Sequence, residues 1–423
     1  MSFPMHKNMK KSDIPLFGQL LDLIPKYILT TSINRYQTDK YCSSYKTYDH
    51  LVALLFGQLN KCTSHREICL GMSGDEKFLR DINLSQSPAR STMSDGNSKR
   101  NYEVFKDIYH QLISHYRHVF RKRSEYKEIK EIEGRNIKLV DATIISVCLN
   151  LFEWASYRTA KGGIKAHVSL DEKTMLPEII NITEAKVSDR RGVDSFRYPK
   201  DTIVVDDRGY FDFGLFKQRI DDENIFVTRM KSNTIYESVK ERDLPEDKDF
   251  EILKDEIIKL SSVAAIEKGM ADQELRRVAI YFEEVNRKTK EKKVKVISLI
   301  TNNLDWEASV IAELYKRRWY IETFFKLMKQ NLQIKNFLGT SENACKSQIY
   351  IALICYFLIE LVRRTATRTK HRFGHFITLI RVCLMKYELL EYIINDIRTV
   401  VRKVNKYEKK KDDCQTKLNL KSG

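Results

Sequence analysis

The sequence predicts an α/β protein built round a mixed β-sheet, with a helical N-terminal region before it and helices after it. Three observations carry this. Apolar residues recur at helical spacing through residues 1–128. From residue 129 short β-branched runs take over, three in succession and then alternating with helix-compatible spans, the pattern of a sheet with covering helices. Beyond residue 296 helical spacing returns.

The elements follow in order. LFGQLLDLIPKYIL and YDHLVALLFGQLN read as helices. NLSQSPARSTMSDGNSKRNYEVF, with Pro88 and its Ser/Thr/Asp cluster, marks a stop and a new start, and YEVFKDIYHQLISHYRHVF continues as helix. Helix, polar turn and second helix carry Arg90, Lys99 and Arg100. That suits a DNA-reading module, and equally a plain helical hairpin with a solvated basic turn. NIKLVDATIISVCL is a strand, and GGIKAHVSLDE and LPEIINITEAK follow at hairpin distance as an antiparallel meander. VSDRRGVDSFRY is helix-compatible, DTIVVDD a strand, FDFGLFKQRIDDE a helix and NIFVTRMK a strand.

Residues 231–296 interrupt this unit as a β-rich insertion. It contains DFEILKDEIIKL and a hairpin, RVAIYFEEV and VKVISLIT, whose basic turn NRKTKEKK is either a DNA contact or an exposed tip. AELYKRRWYIETFFKLMKQ is helical, and long helices run on to about residue 401. The tail 402–423 is basic and poor in apolar residues, a composition expected to be disordered. The boundaries fall at 1–128, 129–365, 366–401 and 402–423.

A formal net charge of +17 points to a polyanionic partner, nucleic acid or an anionic membrane surface. The start MSFPMHKNMKKSDIP has no apolar run of signal-peptide length, and the apolar stretch Ile349–Val362 is short for a membrane span and contains Glu360. Membrane binding therefore gives way to nucleic acid. The eight cysteines form no C-x-x-C pair, and Cys62, His65 and Cys69 have no second pair of ligands nearby. Scattered cysteines without an export signal fit a reducing cytoplasm. No nucleotide-binding glycine motif is present, which argues against a basic metabolic enzyme.

Chemistry concentrates on the helix 312–330. At about 100° per residue, Tyr315, Arg318, Glu322 and Lys329 fall within roughly 60° of one another. Leu314, Ile321, Phe325, Met328 and Leu332 form an apolar stripe roughly 80° away. The polar stripe thus borders the buried face, where the lip of a site would lie. One carboxylate does not suffice for a magnesium ion in phosphoryl chemistry, so further acids are needed. Asp141 lies inside the apolar run LVDATII, where an unpartnered acid is costly. Asp206 and Asp207 end the strand TIVVDD before Arg208-Gly209-Tyr210. Each could equally be a satisfied turn or capping residue.

These residues resemble a known set. The pattern Y-x2-R-x3-E-x6-K in YKRRWYIETFFKLMK resembles the signature of bacterial DDE transposases of the insertion-sequence-4 type. LVDATII resembles that family's first-aspartate strand, FEWASYRTAKGGIKAHVSLD the segment after it, VDDRGYFDFGLF its second-aspartate motif, and TNNLDWEASVIAELYKRRWYIETFFK the approach to its glutamate. The resemblance covers residues 130–365. FGQLLDLIP and the S-P-A-R-S-T break are similar to the N-terminal domain of one branch.

The resemblance implies an RNase H-like fold in which Asp141, Asp207 and Glu322 are the catalytic, metal-binding triad, holding Mg²⁺ or Mn²⁺ as two ions. Asp207 is preferred to Asp206 because it directly precedes Arg-Gly-Tyr, and because adjacent strand residues face opposite ways. Tyr315, Arg318 and Lys329 would contact DNA phosphates, and Arg90, Lys99 and Arg100 would belong to a helical DNA-binding domain. The implied function is a cytoplasmic transposase, a homodimer on DNA, that binds the terminal inverted repeats of its insertion sequence, cleaves there, and joins the ends to target DNA. A nuclease of the same fold without joining activity, and a catalytically inactive transposase-derived DNA-binding protein, are the alternatives. One departure concerns relatives that stack a flipped base on a tryptophan of the insertion. The tryptophans here are Trp154, Trp306 and Trp319, outside 231–296, and Trp306 and Trp319 are read as core. The hairpin route that depends on base flipping loses its support.

Overall fold

A computed structural model describes residues 12–121, 129–147, 162–244, 250–285, 292–334, 336–366 and 372–390. Trp154, most of the NRKTKEKK turn and the tail 402–423 lie outside the described residues. The chain divides into two compact units, Met1–Val119 with Asn331–Gly423, and Phe120–Gln330.

The first unit is helical: α1 (Leu16–Leu21), α2 (Lys26–Tyr36), α3 (Thr47–Asn60), α4 (His65–Ser73), α5 (Glu76–Asp81), α6 (Arg90–Lys99) and α7 (Glu103–Arg121). The apparent single helix LFGQLLDLIPKYIL is two, because Pro25 cannot continue α1 and instead caps the start of α2. α3 is buried on every side from His50 to Leu59, which marks it as the unit's core.

The chain returns to this unit after residue 331 with α13 (Glu342–Ala366) and α14 (Phe373–Cys383), both packed on α3. The sequence boundaries place α13 with the sheet, in 129–365, whereas the compact units group it with the N-terminal helices. Within its unit it packs on α3, α6 and α14. By length and composition Glu342–Thr365 could cross a membrane, yet 94% of its apolar window is buried inside the protein. Its internal acid, Glu360, pairs with Arg363 at 2.8 Å and Arg364 at 3.4 Å.

The second unit is the sheet. Its elements are β1 (Ile137–Val147), β2 (Gly162–Asp171), β3 (Pro177–Glu184), α8 (Asp189–Gly192), β4 (Ile203–Asp206), α9 (Phe213–Asp221), β5 (Ile225–Arg229), β6 (Tyr236–Glu241), β7 (Ile252–Leu260), α10 (Val263–Glu267), β8 (Glu274–Val285), β9 (Lys292–Thr301), α11 (Ala308–Arg317) and α12 (Trp319–Asn331). Among the described residues one nine-stranded sheet has the order β3-β2-β1-β4-β5-β9-β8-β7-β6. β1, β2 and β3 form the expected antiparallel meander, and β4 and β5 join parallel. This is the mixed sheet expected of an RNase H-like unit.

The β-rich insertion does not stand apart from that sheet. β9 pairs antiparallel with β5, Thr228 opposite Ile300, and β8, β7 and β6 extend the sheet from there. The helix expected over VSDRRGVDSFRY shrinks to α8, a single turn capped by Ser188, because Val193 and Phe196 turn inward into the core beside Val140 and Leu215. On one face α9 and α10 bury Phe216 and Ala265 against Phe226, Ile258 and Ile300. α11 packs on β4, β5, β8 and β9.

Candidate active site

The sheet register brings the first two acids together. β1 runs parallel to β4 with Val140 opposite Asp206. The next residues along the two strands are Asp141 and Asp207. Alternation then separates neighbours by face. Asp206 is 0% exposed and accepts a hydrogen bond from Arg219 Nη2 of α9 at 2.5 Å. Asp207 accepts one from the Tyr315 hydroxyl of α11 at 3.2 Å. The two adjacent aspartates thus serve opposite sides of the sheet.

The third acid arrives through a break in the helix. α11 ends at Arg317, Arg318 keeps right-handed dihedrals in a tightened turn, and α12 starts at Trp319. The Arg318 N–H donates to the Tyr315 carbonyl at 3.1 Å, the short repeat of a 3₁₀ turn. The signature stretch is therefore not one straight helix. Tyr315 lies on α11, Glu322 on α12, and Arg318 at the joint.

Arg318 draws the acids together. Its Nη2 donates to Glu322 Oε1 at 2.7 Å, and its Nη1 stands 3.8 Å from Asp141 Oδ2. Burial works against the cation, yet Tyr315, Asp207, Glu322 and Asp141 together hold the Arg318 pKa above its ordinary value. Burial is also the largest influence on Asp141, whose pKa rises to about 6. The Ala142 N–H at 2.8 Å and Arg318 oppose that rise, while Asp207 and Glu322 add to it. Burial and Asp207 push the Tyr315 hydroxyl up to about 12, so it stays a hydrogen-bond donor at neutral pH. Arg318 thus bridges Asp141 and Glu322, and Asp207 is tied in through the Tyr315 hydroxyl.

Carboxylate oxygens alone make up this donor set, and such hard ligands suit Mg²⁺ or Mn²⁺. Among the described residues no three His, Cys, Asp or Glu side chains are grouped so as to hold a metal ion, and here the Arg318 guanidinium stands among the carboxylates. Cys62, His65 and Cys69 form no metal group either, and burial pushes the Cys62 thiol up to about 11, away from the thiolate a metal needs.

The remaining candidates fall in different places. Lys329 Nζ donates to the Ile144 carbonyl of β1 at 2.9 Å, which ties α12 to the strand of Asp141. In the helical unit Arg90 opens α6 and is exposed, and Lys99 closes it, 3.4 Å from Asp95. Arg100 turns the other way. It is 7% exposed, donates to the Tyr45 carbonyl at 2.7 Å and lies over the Tyr45 ring, so it braces α6 from within instead of facing DNA. Trp319, expected in the core, is 46% exposed because it begins α12 on the outer side, whereas Phe325 is buried. Trp306 is half-buried, its ring beside Arg135.

Arg229 is a further candidate that sequence reasoning did not name. It ends β5, one position past Thr228, which pairs with Asp206, and its charge is felt at the Tyr315 hydroxyl. The available signal was a basic residue ending the strand after the second aspartate.

Comparison with known proteins places this geometry. The family described as Transposase DDE domain matches residues 132–358, a span that contains Asp141, Asp207 and Glu322. A Domain of unknown function (DUF4372) matches residues 12–82, within the helical unit. A Sinorhizobium fredii protein named as a transposase, y4zB, is 29% identical over 281 residues, 66% of this chain and 72% of its own length. A Geobacillus stearothermophilus protein named as a transposase for insertion sequence element IS5377 is 25% identical over 292 residues, 69% of this chain and 72% of its own. A Synechocystis protein named as a transposase for insertion sequence element IS4SA is 24% identical over 282 residues, 64% of this chain and 71% of its own.

Proposed function

This chain belongs to the Transposase DDE domain family and is an enzyme acting on DNA, and from that premise we propose that it moves an insertion sequence of the insertion-sequence-4 type. It binds the terminal inverted repeats of the element, cleaves at the element's ends and joins those ends to target DNA. The observation that carries this reading is the contact of Arg318 with both Asp141 and Glu322, with Asp207 hydrogen-bonded by Tyr315 on the neighbouring helix.

In this reading Asp141, Asp207 and Glu322 hold one or two divalent ions, Mg²⁺ or Mn²⁺. Bound there, such ions stabilise the attacking and leaving oxygens of an in-line phosphoryl transfer. Tyr315 orients Asp207 through its hydroxyl. Arg318, Arg229 and Lys329 supply positive charge beside the acids for the phosphodiester, Arg as a planar fork and Lys as a mobile point charge. Cleavage breaks the P–O bond at the element end by attack of water and leaves a 3′-hydroxyl. That hydroxyl then attacks a target phosphodiester and releases a target 3′-hydroxyl. Arg90, Lys99 and the exposed face of α6 contact the inverted repeats. Two ends must be held at once, which calls for a homodimer on DNA, acting in the cytoplasm where the element's DNA lies.

Asp141→Asn, Asp207→Asn and Glu322→Gln are each expected to abolish cleavage of end DNA while leaving its binding intact, measured on one substrate by gel shift and by product analysis. Full cleavage by Glu322→Gln would sink the proposal.

A further inference from the structure

The contacts of the signature arginine are with the acids themselves. Its side chain is only 12% exposed and reaches the carboxylates of Asp141 on β1 and Glu322 on α12. It sits at the tightened turn between α11 and α12, and from there its side chain reaches both the strand acid and the helix acid. Its Nε is buried and has no hydrogen-bond partner. Three carboxylates against one guanidinium leave the cluster with a formal charge of −2, the charge that one divalent ion would balance. The guanidinium nevertheless engages the Glu322 oxygen that a metal would need.

We propose that Arg318 is the resting counter-ion of the acid triad, and that a divalent metal ion must displace its guanidinium from Asp141 and Glu322 to bind. The proposal rests on the reading of Asp141, Asp207 and Glu322 as the metal site. Displacement does two things with one residue. Without metal, Arg318 keeps the three like charges from driving the strand and helix apart. With metal, it frees a planar fork beside the site, suited to a DNA phosphate. Metal and DNA then bind with positive coupling, each favouring the state in which Arg318 has left the acids.

The test is calorimetric titration of the full chain with Mn²⁺, without DNA, comparing wild type, Arg318→Gln, Arg318→Lys and Glu322→Gln. Arg318→Gln removes the competitor and should bind Mn²⁺ at least roughly fivefold tighter than wild type, the lower end of couplings between sites. Arg318→Lys, which keeps the charge but lacks the fork, should fall between the two. A purely supporting role predicts the opposite sign, so equal or weaker binding by Arg318→Gln overturns the proposal. Weaker binding by Glu322→Gln shows that the metal reading holds in that case. If Glu322→Gln binds as wild type does, the metal reading fails and the proposal with it. Should Arg318→Gln not fold, the wild-type chain answers directly. Modification of Arg318 by phenylglyoxal, followed by peptide mass spectrometry, should speed up on adding Mn²⁺, and an unchanged or slower rate overturns the proposal.

Discussion

Arg219→Met separates the two adjacent aspartates by what each one does. Asp206 is fully buried, and Arg219, itself 4% exposed, donates to it at 2.5 Å. Methionine fills similar space but leaves the carboxylate without its cation. Breaking a buried pair from one side costs about 3–5 kcal/mol. At about 2–4 °C per kcal/mol for a unit of this size, the melting temperature should fall by roughly 6–20 °C. The loss should also depend on pH. Burial already pushes the Asp206 carboxyl above its usual value, against the pull of Arg219. Removing Arg219 pushes it further. A folded pKa above the unfolded value of about 4 means stability that is present in acid and lost as pH rises through the folded value. The gap between variant and wild type should therefore be small at pH 5 and wide at pH 8. Thermal melts of the full chain followed by circular dichroism at both pH values measure it. A fall under about 2 °C at pH 8, or an equal gap at both pH values, would refute the reasoning.

Further expectations follow from named contacts. Tyr315→Phe deletes the hydroxyl that donates to Asp207. A hydrogen bond to a charged group is worth about 1.5–3 kcal/mol, so the single-turnover cleavage rate should fall roughly 10- to 150-fold. A wild-type rate would contradict the orienting role. In the helical unit, burial holds His50 well below its usual pKa, with Arg100 and then His65 adding to the effect. A depressed histidine gives stability that is lost as pH falls below the unfolded value of about 6.5, since the unfolded chain takes the proton first. Chemical denaturation at pH 7 and pH 5 should show that loss in wild type and a smaller one in His50→Phe, whose ring can keep the edge contact with Phe105. Parallel losses in the two proteins would remove His50 as the cause.

Much of this architecture is legible in the residues, and the gaps have physical causes. The strands from LVDATII to NIFVTRMK show themselves through β-branched runs, and the helix FDFGLFKQRIDDE through its spacing. Alternation also separates Asp206 from Asp207, because a period of two puts neighbours on opposite faces. It does not say which strand a hairpin will join, so the pairing of β9 with β5 appears only in the fold. Helical spacing assumes a straight axis, and the tightened turn at Arg318 carries no Gly or Pro to announce it. Arg100 and Trp319 are misread for one shared reason. Residue type sets an average burial, but here Tyr45 offers a ring and a carbonyl to a guanidinium inside, while the start of α12 leaves an indole outside. The signature Y-x2-R-x3-E-x6-K names Tyr315, Arg318, Glu322 and Lys329. Their mutual contacts, Tyr315 with Asp207 and Arg318 with Asp141 and Glu322, depend on the sheet register and lie beyond spacing alone.

The central claim is that the triad of Asp141, Asp207 and Glu322 carries a phosphoryl transfer that joins DNA. Its most direct measurement supplies pre-cleaved element ends and a target plasmid in Mg²⁺ and counts joined products. The account predicts joined products from the wild-type chain, and none from Asp207→Asn at equal end binding. Joining by Asp207→Asn at the wild-type level, or cleavage by the wild-type chain with no joining at all, would contradict it.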